Sequence, residues 1–533
     1  MAIAVCLFGN LGAIGLTGPD EPRYVWIARA MAETGDWITP RLYGTPWFEK
    51  PALYYWAAAV GFLLKLPAEW AARLPSAIAA LGTAIATGWL AKKHYGGDVD
   101  SLSSPVLLAP VLFATSVAAI GFARGATPDM LFTASLVAAM ACSASILRDA
   151  GGLRPTVISD VGARTDSLPL ALLGGFLGLA VLAKGPAAII LAGGAVAIWA
   201  LATRQWRAAI RLVHPIAILA AGLVAIPWYA LCAVRNRDFL RVFLWQHNVE
   251  RYATPIFHHR QPFWYYGPIV LLALLPWTVF LWPVAREALR VLREISWSGS
   301  PGFFFACWAA WPVVFFSVSQ SKLPGYILPA IPPLALLSAV AATRRMSPNR
   351  FKARPVIAAI GAALLLIGLI ASFARSPFSL VIGKFAVSLP IVLAVIAFFV
   401  GAALLGLSVP GDGVRVALVA TLVALGVEIV SVRWLPVLDP AVSARPHAEF
   451  MRNDQHPDRI FTYQLSRSWI WGLNFYFRRE LPEWSTADPR PALVLTTQAG
   501  LEDIRKVGRV SGEVQEFQSG LIYVPILPAP GAR

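Results

Sequence analysis

A chain of 533 residues that is 57% hydrophobic and 14% charged, with a mean hydropathy of +0.62, carries far less charge than the roughly 25% of soluble domains and is built for lipid. Its formal charge of +16 would suggest nucleic acid in a soluble protein. In a membrane chain the plainer explanation is Lys and Arg gathered in cytoplasmic loops, so no nucleic-acid partner is expected.

Met1 to Leu16 is apolar but lacks the basic n-region of a signal peptide. It reads as an uncleaved first span over 3–18, with a start codon further upstream left open. Twelve more spans are expected near 73–91, 104–122, 129–147, 168–183, 186–202, 213–234, 267–285, 303–319, 326–342, 356–373, 385–407 and 414–434, each about long enough to cross a hydrocarbon core of about 30 Å. Ala52 to Leu66 is too short and too aromatic to rank with these, and reads as a helix lying on the membrane surface. The four cysteines (Cys6, Cys142, Cys232 and Cys307) sit inside apolar runs. They show neither metal nor disulfide spacing and read as small core hydrophobes.

Loop charge sets the orientation. With the N-terminus cytoplasmic, the basic clusters at Lys92-Lys93, Arg148/Arg154/Arg164, Arg204/Arg207/Arg211, Arg286/Arg290/Arg293 and Arg344–Arg354 all fall on the cytoplasmic side. Counting 52–66 as a span would flip the whole set. The opposite loops are then DEPRY…FEKP (from Asp20), RGATPD (Arg124–Asp129), AKGP (Ala183–Pro186), QHNVERYATPIFHHRQPFWYY (from Gln246) and SKLPGY (Ser321–Tyr326). Charges at a membrane boundary are costly and mark function, so one non-cytoplasmic active surface is expected.

On that surface Asp20 and Asp129 are the candidate catalytic carboxylates. They could orient an acceptor, bind a cation or stabilise charge on a sugar. The plainer alternative for Asp20, which precedes Pro22 and an amphipathic run, is a helix cap. Arg23, Lys50, Arg124, Lys184, Arg251, Arg260 and Lys322 are the cations that phosphate would need; the alternative is snorkelling or headgroup contact. Lys50 and Lys184 stand out because a proline near each fixes the local backbone. The many aromatics of these loops form an interface belt or line a groove for a sugar or a prenyl chain. His247, His258 and His259, with Glu49, leave a zinc-type site open. No Walker A or G-x-G-x-x-G pattern is present, so a donor on this side is not a cytosolic nucleotide sugar.

From Pro436 the composition changes. RIFTYQL, NFYF, PALVLTT and LIYVPIL read as strands and PHAEFMRND as a helix, so 436–533 is expected to be a small soluble α/β domain. The membrane domain would cover 1–435, with 19–72 as its first external loop.

Taken together, DEPRY…IAR.M…GDW.TPRL.G…FEKP.L.YW (Asp20–Trp56), WAARLPSA (Trp70–Ala77), TPDM (Thr127–Met130), AKGP, QHNVERY (Gln246–Tyr252) and SKLPGYILP (Ser321–Pro329) resemble the bacterial 4-amino-4-deoxy-L-arabinose (lipid A) transferase family. Its members are GT-C glycosyltransferases related to protein O-mannosyltransferases, which take a sugar from undecaprenyl phosphate at the periplasmic face of the inner membrane. The resemblance implies a GT-C α-helical polytopic membrane protein of about thirteen spans with a small C-terminal α/β domain. It implies a polyprenyl-phosphate-linked sugar donor, a lipid or glycan acceptor, and a monomer. Asp20 and Asp129 would be the acids of the first two loops. Arg23 and Lys50 would hold the donor phosphate, Tyr326 would line the donor cavity, and Tyr24, Tyr55, Lys184, Arg251 and Lys322 complete the donor set. Glu49 and His247 would lie near a divalent cation (Zn²⁺, Mg²⁺ or Mn²⁺). Gln246 departs from the family pattern, which often has an acid there, and this puts the metal in doubt. The two alternatives to a lipid A transferase are an enzyme that glycosylates peptide Ser or Thr, and a transporter.

Overall fold

The computed structural model describes residues 1–97, 101, 103–153, 167–254, 261–293, 299–345, 359–364, 366, 379–382, 385–388, 397, 400–401, 404, 412–452, 459–485, 490–506, 508–517 and 519–528. Two compact units emerge. One comprises Met1–Gly9, Phe48–Tyr54 and Leu74–Glu428; the other comprises Asn10–Trp47, Tyr55–Arg73 and Ile429–Arg533.

The first unit is helical. Among the described residues of the chain, seven helices are long and apolar enough to cross a membrane, or nine if two bent pairs each count as one span. Ala68–Tyr95, Asp129–Asp149, Ser167–Lys184, Trp206–Arg235, Pro301–Val318, Pro324–Thr343 and Val414–Val442 coincide with expected spans. The span expected at 104–122 is broken into Pro105–Ala114 and Val117–Ala123, bent by 59°. At that break Ser116 starts the second helix by accepting from the Ala119 amide at 3.3 Å, as an N-cap does. The span expected at 267–285 is likewise broken into Tyr266–Ala273 and Trp277–Arg290, bent by 111°, with Pro276 at the break, where no N–H can continue a helix. Ala187–Thr203 is apolar but shorter, and so is Leu53–Leu63. At 11 residues the latter reaches only about 16 Å, consistent with leaving Ala52–Leu66 out of the spans.

Two expectations fail here. The first span is helical only over Ala2–Phe8, after which Gly9 is extended and Asn10 adopts a φ of +48°, which Asn tolerates better than most residues. The second departure is at the start of the span expected near 385–407. Its first residues, Phe385–Ser388 (β4), pair antiparallel with Ser379–Ile382 (β3). Most of 356–373 and most of the rest of 385–407 lie outside the described residues, as do His258, His259 and Arg260.

The second unit joins the loop that follows the first apolar segment to the C-terminal region. The loop contributes the helix Asp20–Thr34 and a short hairpin of β1 (Arg41–Leu42) and β2 (Thr45–Pro46), turned at Tyr43 and Gly44 with positive φ. The Arg73 guanidinium ties the segment before that helix. It donates at 2.7 Å to each of the Leu11, Ile14 and Gly15 carbonyls and pairs with Glu21 at 2.8 Å. Those carbonyls serve Arg73 instead of a continuing helix, which is why the first span stops short.

The C-terminal part is a four-stranded sheet in the order β5 (Ile460–Thr462), β6 (Ala492–Thr496), β8 (Ile522–Ile526), β7 (Gln515–Glu516). β5 and β6 run parallel and the other neighbours antiparallel. Side chains alternate between faces. Phe461, Val494, Ile522 and Val524 pack with Leu501 and Ile504 of the helix Gln498–Lys506. Ile460, Leu495 and Tyr523 pack with Met451 and Leu473, from the helices Arg445–Arg452 and Arg467–Phe477. Both faces are covered, giving an α/β domain. NFYF is not a strand: it ends the helix Arg467–Phe477. Its aromatic content suits a strand, but Leu473 and Phe475 are both buried on the helix.

Candidate active site

Five separate stretches of the first unit wall a cavity of about 360 Å³: the loop around Glu49 and Lys50, the helix turn at Phe132, the segment from Lys184 to Ile190, the segment from Phe243 to Ala253, and Phe315 to Tyr326. Its charged groups are Glu49, Lys50, Lys184 and Arg251, and its apolar walls include Phe132, Ile190, Phe243, Phe315 and Phe316. Sequence reasoning missed these five, because apolar residues inside a span look alike whether they face lipid, core or cavity.

Local backbone explains how the charges arrive. Lys184 ends the helix Ser167–Lys184, where the helix dipole favours a cation. Gly185 then turns the chain at φ +85°, and a Cβ there would meet the Phe243 ring at 2.8 Å. Only glycine suits both demands. Asp129 opens the helix Asp129–Asp149, where an anion is favoured. Its carboxylate lies so close to Gly325 that a Cβ on that glycine would approach Oδ1 to 2.8 Å. Residues Arg241–Glu250 wind as a π-helix, a wide turn often found at functional sites, and deliver His247, Asn248 and then Arg251.

The charges form two linked groups. Lys184 Nζ bonds Asp129 Oδ1 at 2.5 Å. Glu49 Oε1 is shared by Lys50 Nζ at 3.5 Å and Arg251 Nη1 at 3.6 Å. Tyr326 connects them: its hydroxyl accepts from Arg251 Nε at 3.0 Å, and its ring lies 5.0 Å from the Lys184 ammonium, a cation–π distance. Three cations thus face two carboxylates. Burial pushes the Lys50 ammonium down to about 8; Glu49 opposes the shift, while the Arg251 and Lys184 charges add to it. The lining around these charges is largely apolar.

Of the expected donor residues, the structure brings together Lys50, Lys184, Arg251 and Tyr326, with Glu49 and His247 in the same wall. Lys322 stands apart. Its ammonium donates to the Ser319 carbonyl, and it lines a separate groove with Gln261, Phe263 and Gln320. Asp20, Arg23, Tyr24 and Tyr55 belong to the second unit. Tyr24 and Tyr55 are buried there with their rings 6.1 Å apart. The expected metal does not suit the donor set. Among the described residues no three His, Cys, Asp or Glu side chains gather to hold an ion, and Glu49 is engaged by two cations.

The dolichyl-phosphate-mannose-protein mannosyltransferase family matches residues 8–243. The chain is 35% identical over 321 residues to the undecaprenyl phosphate-α-4-amino-4-deoxy-L-arabinose arabinosyl transferase of Edwardsiella ictaluri, covering 60% of this chain and 54% of the relative. To the Pseudomonas aeruginosa protein of the same name it is 32% identical over 332 residues, covering 62% and 56%. The chain therefore spans about half the length of the curated relatives it matches. Over its whole length it resembles the crystal structure of ArnT from Cupriavidus metallidurans bound to undecaprenyl phosphate, with a TM-score of 0.76, 24% identity, and coverage of 100% and 98%.

Fold and spans define a multi-span membrane protein of the GT-C class. Within that class its sequence is similar to the 4-amino-4-deoxy-L-arabinose transferases and, over residues 8–243, to the protein O-mannosyltransferases.

Proposed function

We propose that the protein is a membrane glycosyltransferase that takes a sugar from undecaprenyl phosphate and passes it to a lipid A-type acceptor at the periplasmic face of the inner membrane. The observation that carries this reading is the set of Lys50, Lys184 and Arg251 in the lining of a largely apolar cavity. A phosphate joined to a prenyl chain asks for that combination, with Arg as a planar fork and Lys as a point charge. The relatives' shared name supports 4-amino-4-deoxy-L-arabinose as the sugar.

In the reaction the bond from the anomeric carbon to the phosphate oxygen breaks, and the electron pair leaves with polyprenyl phosphate. Lys50 and Arg251, fixed by Glu49 and Tyr326, stabilise that charge in a poorly solvated site, where preorganised cations act most strongly. The acceptor oxygen forms the new bond. A hydroxyl acceptor gives its proton to a carboxylate, Asp20 or Asp129, whereas an acceptor phosphate needs no base. Both are ion-paired, Asp20 to Arg23 and Asp129 to Lys184; Asp20 is the principal candidate because its side chain is 53% exposed against 17% for Asp129.

The test is mass spectrometry of lipid A and of secreted proteins from a deletion strain. The reading expects loss of a sugar substituent from lipid A with secreted glycoproteins unchanged. Loss from Ser or Thr of secreted proteins instead would move the protein to the peptide-glycosylating reading.

A further inference from the structure

The C-terminal α/β domain bears no motif that assigns it a task, yet one of its helices reaches the first-loop helix within the second unit. Arg23 donates to Asp20 Oδ1 at 2.6 Å. The Asp20 side chain is 53% exposed and that of Arg23 only 9%. Three rings surround the Arg23 guanidinium: Trp471 at 4.9 Å, Tyr24 at 5.0 Å and Trp47 at 5.5 Å. Two turns on, Arg29 repeats the arrangement, with Phe475 at 4.3 Å, Trp26 at 4.8 Å and a bond from Nη1 to the Phe475 carbonyl at 3.1 Å. Trp471 and Phe475 lie one turn apart on the helix Arg467–Phe477, so they share a face.

An i,i+3 ion pair on a solvated helix is ordinarily weak and mobile. This one is different on its cationic side. A guanidinium stacked among aromatic rings can still donate in its own plane, so Arg23 is fixed while Asp20 reaches out. We propose that Trp471 is a positioning residue: it holds Arg23, and Arg23 sets the direction in which the Asp20 carboxylate meets the acceptor. The C-terminal domain then takes part in the reaction geometry by supplying one wall of that arginine's cage. This rests on the reading of Asp20 as a catalytic carboxylate.

The experiment compares Asp20→Asn, Trp471→Ala, Trp471→Phe and Arg23→Lys in a transfer assay with a purified polyprenyl-phosphate sugar, alongside thermal unfolding of each variant. The expected result is near-complete loss in Asp20→Asn. Trp471→Ala should lower kcat by roughly tenfold or more with donor KM within about twofold of wild type. Trp471→Phe, which keeps a ring face, should recover most of the activity, and Arg23→Lys, which loses the fork, should resemble Trp471→Ala. A Trp471→Ala enzyme with wild-type kcat beside an inactive Asp20→Asn would overturn the positioning role alone. So would a loss that follows only the unfolded fraction and is not recovered by Phe. Full activity in Asp20→Asn would overturn both readings, since nothing would remain to be positioned.

Discussion

With its pKa brought from 10.5 to about 8, Lys50 is still mostly protonated at neutral pH, and burial of that charge costs on the order of 3 kcal/mol. The sign follows from proton counting. Between pH 8 and 10.5 the unfolded chain binds the Lys50 proton and the folded chain does not, so this residue's contribution to stability rises with pH across that window. A bound phosphate acts the other way: it favours the ammonium, and above pH 8 its binding must take up a proton. The affinity for undecaprenyl phosphate should therefore fall by roughly tenfold per pH unit above 8, and the slope should vanish in Lys50→Arg. A flat wild-type profile from pH 7 to 10 would contradict this. Arg251→Lys should weaken binding by about tenfold or more, because a point charge cannot engage Glu49 and Tyr326 in one plane. At this scale the sequence was informative. Lys50 and Lys184 stood out beside prolines, and Arg251 and Tyr326 lay in loops on the same predicted side. Lys322 was indistinguishable from them in sequence, since nothing local says which way a loop lysine turns. Tyr24 and Tyr55 looked like groove residues and are core.

Elements translate those residues into a site, and two of them are tightly constrained. Gly185 must bend the chain after Lys184 while Phe243 presses on it. Gly185→Ala should lower both activity and melting temperature, whereas Gly193→Ala, where an added Cβ meets nothing within 4 Å, should leave both near wild type. Arg73 is buried against Glu21 and three carbonyls. Removing it strands a buried carboxylate, so Arg73→Ala should destabilise the protein by about 3–5 kcal/mol in denaturant unfolding, with little recovery in Arg73→Lys. Spans were the most readable elements, because length and hydropathy alone define them. The misread segments share a cause. The stretch after Phe8 is apolar but its carbonyls serve an arginine some sixty residues away, and NFYF is strand-like until tertiary packing places it on a helix.

At the scale of the whole molecule, loop charge predicts that the Lys50 loop and residues 436–533 lie outside the cytoplasm while Arg204 and Arg286 lie inside. Single cysteines at Thr45 and Arg204 in a chain with its own four cysteines replaced should react with a membrane-impermeant thiol reagent in intact spheroplasts at Thr45 only; the reverse pattern would invert the topology. The convergence of five distant stretches on one cavity was foreseeable only as a shared side of the membrane, since contact between them is a property of the bundle. The most direct test of the account is donor binding by the purified protein, using undecaprenyl phosphate and the wild-type, Lys50→Ala and Arg251→Ala proteins. The account predicts saturable binding that falls at least about thirtyfold in each variant while the folded fraction is preserved. Wild-type affinity in both variants, or no binding by the wild type, would contradict it.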